Sequence, residues 1–219
     1  DLEFRRVLFR SHRIHGVAVA VADQLVPLVR EVTPVSERVT RLRIAHSLGT
    51  ISLVAVYAPQ GGRRFHEKEA FYAELDSVVN AVPKGDSLIV LGDFNATTGT
   101  SRVDYESCVG PHGSGVRDES SLFMLDFAKS RGLRIAGSWF QRSDSRRYTW
   151  YQRGTALKKE IDHVLVDGRW RMLQNCRVFR SAQLFNADHK LVIATLKLRL
   201  RAPRRPATGQ IRLDEIGRA

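Results

Sequence analysis

Ser87-Leu88-Ile89-Val90-Leu91-Gly92-Asp93-Phe94-Asn95-Ala96 decides how this chain is read. Its first five residues form an apolar run of strand length without a helical period, which predicts a buried strand. A buried strand that ends in Gly-Asp-Phe-Asn delivers a carboxylate and a carboxamide to the rim of a sheet. Open α/β sheets build their sites at that rim. Asp93 can act as a base or a metal ligand, and Asn95 can donate to a phosphate oxygen. The competing reading is a strand followed by a plain Asx turn.

Three further segments carry the argument outward. Ile51-Ser52-Leu53-Val54-Ala55-Val56-Tyr57-Ala58-Pro59 is another strand, ending in Tyr57. Ile161–Val166 is a strand with Asp162 near its start, and Asn186-Ala187-Asp188-His189-Lys190 leads into a strand over Leu191–Leu200. Four strand ends thus carry Tyr57, Asp93 with Asn95, Asp162, and Asp188 with His189. Between them lie Gly110-Pro111-His112-Gly113-Ser114-Gly115, a helix through Leu125-Asp126-Phe127-Ala128, Tyr148-Thr149-Trp150-Tyr151, and Trp170 with Cys176-Arg177. In this order the motifs resemble the endonuclease/exonuclease/phosphatase superfamily, which includes pancreatic deoxyribonuclease and the abasic-site repair endonucleases. Within it the chain looks most like the endonuclease domains of non-LTR retrotransposons and the craniofacial-development-protein-2-like sequences related to them. The resemblance runs from His15 to Arg201.

What the resemblance implies is specific. The fold would be α/β, a deoxyribonuclease-like four-layer sandwich of two mixed β-sheets with outer helices; the pattern alone gives only mixed α/β. The activity would be hydrolysis of phosphodiester bonds in DNA with Mg²⁺ or Mn²⁺ as cofactor. In a retrotransposon the nick leaves a 3′-hydroxyl that primes reverse transcription. Asp93 would orient and deprotonate the attacking water, and Asn95 would hold that water or the phosphate. His189 would contact a non-bridging oxygen, with Asp162 hydrogen-bonded behind it to fix its tautomer and raise its pKa. Asp188 would help bind the metal, and Tyr57 would touch the phosphate. Trp150 and Tyr148 would lie beside the DNA, with Arg147 and Lys158 on its backbone phosphates.

Each assignment has a plainer rival. The plainer reading of Asp188-His189 is a polar pair before an edge strand, of Tyr57 an interfacial core aromatic and, as readily as a DNA contact, of Trp150 core filling. Asp162 has a structural salt bridge as its alternative. His163 reads as a packed or solvent-facing histidine, not a ligand.

The chain also departs from the family pattern. The strand bearing a metal-site Asn and the strand bearing the principal metal-binding Glu both precede the segment matching Gly16, so the first strands are expected to be lacking. Glu3 is not assigned that role. Ala187 stands where a small hydroxyl residue is usual, and Asp118 where relatives usually have Asn. The expectation is weak or no nuclease activity for the chain as written, and reduced stability from exposed sheet edges.

Both ends read as foreign. Val7-Leu8-Phe9-Arg10-Ser11 is what GTG-CTC-TTC-CGA-TCT encodes, a common sequencing adapter, and Ile216-Gly217-Arg218-Ala219 matches its reverse complement. The domain expectation is therefore a leader over residues 1–14 that is artefactual or disordered, a partial nuclease domain over 15–201, and a disordered basic tail over 202–219.

Composition sets outer bounds. Of 219 residues, 43% are hydrophobic, enough for one domain with a substantial core. Cys108 and Cys176 lack paired spacing, which excludes a disulfide scaffold or thiolate metal site and leaves two small buried residues. No apolar run approaches membrane-spanning length, so no membrane partner is expected. Net charge is +12; residues 1–11 carry +1 and 201–219 carry +3, so the stretch between carries +8. That balance fits a polyanionic partner, DNA, and weighs against a small-molecule phosphatase.

Strands are expected over Gly16–Val21, Val26–Thr33, Thr40–Ala45 and Ile51–Val56, the last three as a meander. A helix over Phe65–Val82 and another from Asp118-Glu119 to Gly132 follow. Later strands are expected near Leu133–Ala136, Tyr148–Tyr151 and Cys176–Ser181. The function expected is a divalent-metal-dependent DNA endonuclease of retrotransposon origin. It would be a monomeric domain fused to a reverse transcriptase in its parent, and intracellular, in the nucleus where its substrate is. The rivals are a repair endonuclease or phosphohydrolase of the same fold, and a domesticated DNA-binding module without catalysis.

Overall fold

Antiparallel pairing organises the first quarter of the chain. The computed structural model describes residues 6–10, 16–47, 49–168, 172–179 and 187–197. Glu3, Trp170, Asn186 and the tail beyond 201 lie outside them. Arg6–Arg10 (β1) pairs antiparallel with Ala18–Val21 (β2). Residues 6–10, which fall within the leader expected over 1–14, pair here as a strand. Sheet-edge pairing satisfies backbone groups and so tolerates almost any extended sequence.

Val29–Pro34 (β3), Val39–His46 (β4) and Gly49–Tyr57 (β5) form the expected meander. Its first strand begins later than Val26, because Asp23–Leu28 coils as a 3₁₀ helix with Pro27 inside it. Proline presets that turn and removes a ladder donor. Phe65–Asn80 (α1) then crosses over to Ser87–Asp93 (β6), which runs parallel to β5. α1 forms because Phe71, Tyr72, Leu75, Val78 and Val79 recur on one face, and all are buried. Lys68 shares that buried face; its Nζ donates to Glu119 at 2.6 Å and to the Gly61 carbonyl at 2.9 Å. Glu119–Ser130 (α2) starts where expected, capped by Asp118, whose carboxylate accepts from the Ser121 N–H. Short strands follow at Arg134–Ile135 (β7), Trp150–Tyr151 (β8) and Lys158–Lys159 (β9). Asp162–Val166 (β10), Leu173–Val178 (β11) and Val192–Leu196 (β12) complete the described strands.

Six strands form a mixed central sheet in the order β3-β4-β5-β6-β10-β7. Side-chain alternation divides its residues between two cores. Val54, Val56, Leu88, Val90 and Leu165 face α1 and α2. Ile89, Val164 and Val166 face the other way, onto Leu173 and Cys176 of β11 and the partly buried Val192, Ala194 and Leu196 of β12. Among the described residues the α/β sandwich therefore shows helices, a six-stranded sheet and a second layer made of two-stranded ribbons. Both α-helices lie on one face, so the fourth layer is not seen in these residues. Cys108 and Cys176 are both buried and unpaired with each other.

Candidate active site

Sheet topology brings the polar strand ends together. Because β5 and β6 run parallel, their C-terminal ends lie side by side, with Tyr57 opposite Asp93. β10 runs antiparallel to β6, so its first residue, Asp162, also falls opposite Asp93. His189 arrives from the far end of the chain, held by an isolated bridge to Trp150. The result is a compact group: Asp93, Asp162 and His189 offer ligand atoms within 4.8 Å of one another.

Hydrogen bonding gives the group a direction. His189 Nδ1 lies 2.9 Å from Asp162 Oδ2, while its Nε2 lies 3.9 Å from Asp93 Oδ2. The Asp162 carboxylate beside it raises the imidazole pKa, against the opposing effect of burial. Asp93 moves the other way from most carboxylates. Burial, then the charge of Asp162, pushes its carboxyl up to about 7. An acid poised near neutrality beside a histidine can take or give a proton at physiological pH.

The strand-to-loop turn at Asp93 depends on Gly92. Its φ is +145°, and a Cβ there would sit 1.9 Å from the Val56 carbonyl oxygen, so the neighbouring strand leaves no room for a side chain. Asn95, at φ +48°, donates its backbone N–H to Asp93 Oδ1 at 2.8 Å. The Asx turn offered as the plain reading is thus present, and it orients the carboxylate. The Asn95 carboxamide donates to the Ala58 carbonyl at 2.9 Å. Phe94 is fully buried, and His163 packs near it with Nε2 2.8 Å from the Ala96 carbonyl. His163 is a packed histidine. Tyr57 is half-buried at the site's edge, with the Arg38 guanidinium 5.3 Å above its ring.

The remaining site residues cluster on the β8–β9 hairpin and the segment it grips. Trp150 is half-buried and its indole N–H donates to Asp188 Oδ2 at 3.0 Å, so it does not fill core. Asp188 is exposed, and its carboxylate is held low first by that bond. It lies outside the three-residue group, although its charge is felt at Asp93. Tyr148 carries the Lys158 ammonium 4.6 Å from its ring, and Lys158 also pairs with Asp144 at 2.8 Å. Arg147 lines a recess with Asp162, His163 and Glu160, and its guanidinium donates to the Gly113 carbonyl at 3.5 Å. The glycine motif lies against the same region: Ser114 donates its hydroxyl to buried Glu160 and its N–H to Thr98 Oγ1. A Cβ on Gly113 would meet the Gly99 carbonyl at 2.1 Å.

Thr149 is the residue that sequence reasoning passed over. It is buried and accepts hydrogen bonds from two consecutive backbone N–H groups, Ile161 and Asp162. A threonine between two aromatics reads as an ordinary strand residue, and no spacing rule singles it out.

The donor set suits a hard divalent cation. Asp93 and Asp162 supply oxygens, and Asp188 adds negative charge beside them. A bound cation would relieve the burial and charge repulsion that raise the Asp93 carboxyl, and Mg²⁺ or Mn²⁺ takes one or two such oxygens with waters.

A mixed sheet covered by helices, with an acid–histidine–acid group at the C-terminal ends of its parallel strands, defines a deoxyribonuclease-like α/β protein. The chain belongs to the endonuclease/exonuclease/phosphatase family, whose sequence profile matches residues 3–179. It is 28% identical over 192 residues to craniofacial development protein 2 of Tragulus javanicus, covering 88% of this chain and 33% of that protein. The chain thus spans about a third of the length of that relative. Among the solved structures that share the fold are two whose sequences are about a fifth identical to this chain. One is a 3′ phosphatase, NExo, from Neisseria bound to product DNA hairpin, with TM-score 0.64, 20% identity, and coverage of 87% of this chain and 79% of that one. The other is the endonuclease domain of TRAS1, a telomere-specific non-LTR retrotransposon, with TM-score 0.60, 19% identity, and coverage of 83% and 71%. Among the described residues, no helix is long and apolar enough to cross a membrane.

Proposed function

We propose that this chain carries the site of a divalent-metal-dependent DNA endonuclease, of the kind with which non-LTR retrotransposons nick a target for reverse transcription. The observation that carries the reading is the Asp162–His189–Asp93 line at the sheet rim, beside an aromatic and basic hairpin. In the proposed chemistry, Asp162 holds His189 Nδ1 and leaves the Nε2 proton aimed at the space above Asp93. A phosphate placed there receives that proton as a hydrogen bond on a non-bridging oxygen. Asp93, oriented by the Asn95 N–H, accepts the proton of the attacking water. The carboxylates of Asp93 and Asp162, with Asp188 beside them, would hold Mg²⁺ or Mn²⁺, which would supply positive charge to the phosphate and leaving oxygen. Tyr57 borders the phosphate, and Trp150, Tyr148, Arg147 and Lys158 meet the DNA. We place the domain as a monomer within a longer protein that also carries a reverse transcriptase, working in the nucleus.

Among the described residues no glutamate joins the cluster. The 219-residue chain is therefore expected to nick weakly, and the longer parent strongly. The test is conversion of supercoiled plasmid to open circles. Nicking should require Mg²⁺, stop with EDTA, and fall about 10²- to 10⁴-fold in Asp93→Ala and His189→Ala. Release of phosphate from small monoesters without nicking would favour a phosphohydrolase. Salt-sensitive DNA binding indifferent to EDTA, with no cleavage by the parent, would establish a binding module instead.

A further inference from the structure

We propose that Thr149 is a positioning residue: its buried hydroxyl and carbonyl join the strand carrying Asp162 to the segment carrying Asp188 and His189, and so set the Asp162–His189 hydrogen bond. The inference rests on reading these three as the working groups of the site and adds the element that aligns them. Thr149 is 1% exposed. Its Oγ1 accepts from the Ile161 N–H at 3.0 Å and the Asp162 N–H at 3.1 Å. Its carbonyl accepts from the Lys190 N–H at 2.7 Å, and its own N–H donates to the Lys159 carbonyl at 2.9 Å.

The next two residues continue the grip. The Trp150 indole donates to the Asp188 carboxylate, and the Tyr151 N–H donates to the Asp188 carbonyl at 3.0 Å. Residues 149–151 thus hold the chain on both sides of His189, at 188 and at 190. The Thr149 hydroxyl meanwhile fixes the backbone from which the Asp162 carboxylate projects. Imidazole and carboxylate come from different segments of the chain, and one residue touches the backbone of both.

The side chain suits the task. A hydroxyl oxygen has two lone pairs and can accept both N–H groups at once. β-Branching limits χ1, so the oxygen is held where those groups converge. Valine has the same shape with no acceptor, and would leave two buried N–H groups unpaired. Serine keeps the oxygen and loses only a methyl.

The experiment compares Thr149→Val and Thr149→Ser in the 219-residue chain, with two readouts. The first is the downfield proton resonance of the His189 Nδ1–H bonded to Asp162, assigned by its disappearance in Asp162→Asn. The serine variant should keep it and the valine variant should lose it. The second is nicking, where valine should lower kcat about 10- to 100-fold with KM nearly unchanged, and serine should recover most of the loss. An unchanged resonance in a valine variant that still melts cooperatively overturns the proposal, whatever the nicking shows. If the resonance behaves as expected but the unmodified protein and its parent nick nothing, the endonuclease reading fails and the alignment role of Thr149 stands. Should the valine variant not fold, amide exchange in the unmodified chain decides. Ile161 and Asp162 exchanging as slowly as the interior of β10 supports the clamp, and exchange at open-loop rates overturns it.

Discussion

Burial and the Asp162 charge push the Asp93 carboxyl up to about 7, far above the ordinary 3.8, and that shift has a stability consequence. Between those two values the folded chain keeps a proton that the unfolded chain has lost. Stability therefore falls as pH rises from about 4 through 7, and the full cost of ionising Asp93 is present above 7. Asp93→Asn cannot ionise, so in EDTA it should melt higher than the unmodified chain at pH 8, by on the order of 2 kcal/mol. The difference should shrink toward pH 4. A variant no more stable at pH 8 would mean that the site does not strain its own carboxylate. The same proton competes with a cation, so Mn²⁺ affinity measured by calorimetry should weaken as pH drops below 7.

α2 shows what an element owes to one side chain at its end. Asp118 Oδ1 accepts from both the N–H and the hydroxyl of Ser121, each at 2.9 Å, which satisfies a donor that the first turn leaves open. Asp118→Ala should cost about 1 kcal/mol in a urea melt, and Asp118→Asn, which keeps the acceptor, a few tenths. Equal losses for both would show that charge, not capping, is what Asp118 supplies. Elements with such local signatures were legible in the sequence: α2 from its cap, α1 from its apolar face, and β5, β6 and β10 from apolar runs ending in polar residues. Elements made by pairing alone were not. β9 is only Lys158–Lys159 and forms because β8 lies opposite it. β1 forms against β2 despite a sequence that suggests nothing. The site divides the same way. Asp93, Asp162 and His189 could be named from strand ends, because side-chain chemistry marks them. The role of Thr149 could not, since it acts on backbone N–H groups that every sequence contains.

Over the whole molecule, 35 Lys and Arg face 23 Asp and Glu, and the +12 balance has a measurable meaning. Much of the local positive charge is already engaged: Arg43 with Asp86, Lys68 with Glu119 and Lys158 with Asp144. Paired cations displace few counterions from DNA, so the binding footprint should be smaller than the net charge suggests. If four to six phosphates are neutralised, affinity for a short duplex should fall about 10²- to 10³-fold between 50 and 200 mM salt. Fluorescence anisotropy in EDTA measures this without any turnover. Arg147→Ala should reduce the log–log slope by about one, because Arg147 lies beside Asp162 with its guanidinium only loosely engaged. Lys158→Ala should change the slope less, because Asp144 already neutralises it. A slope near zero would mean that the basic balance serves no polyanion, and a small phosphoester would then be the substrate to try on the Asp93–His189 site.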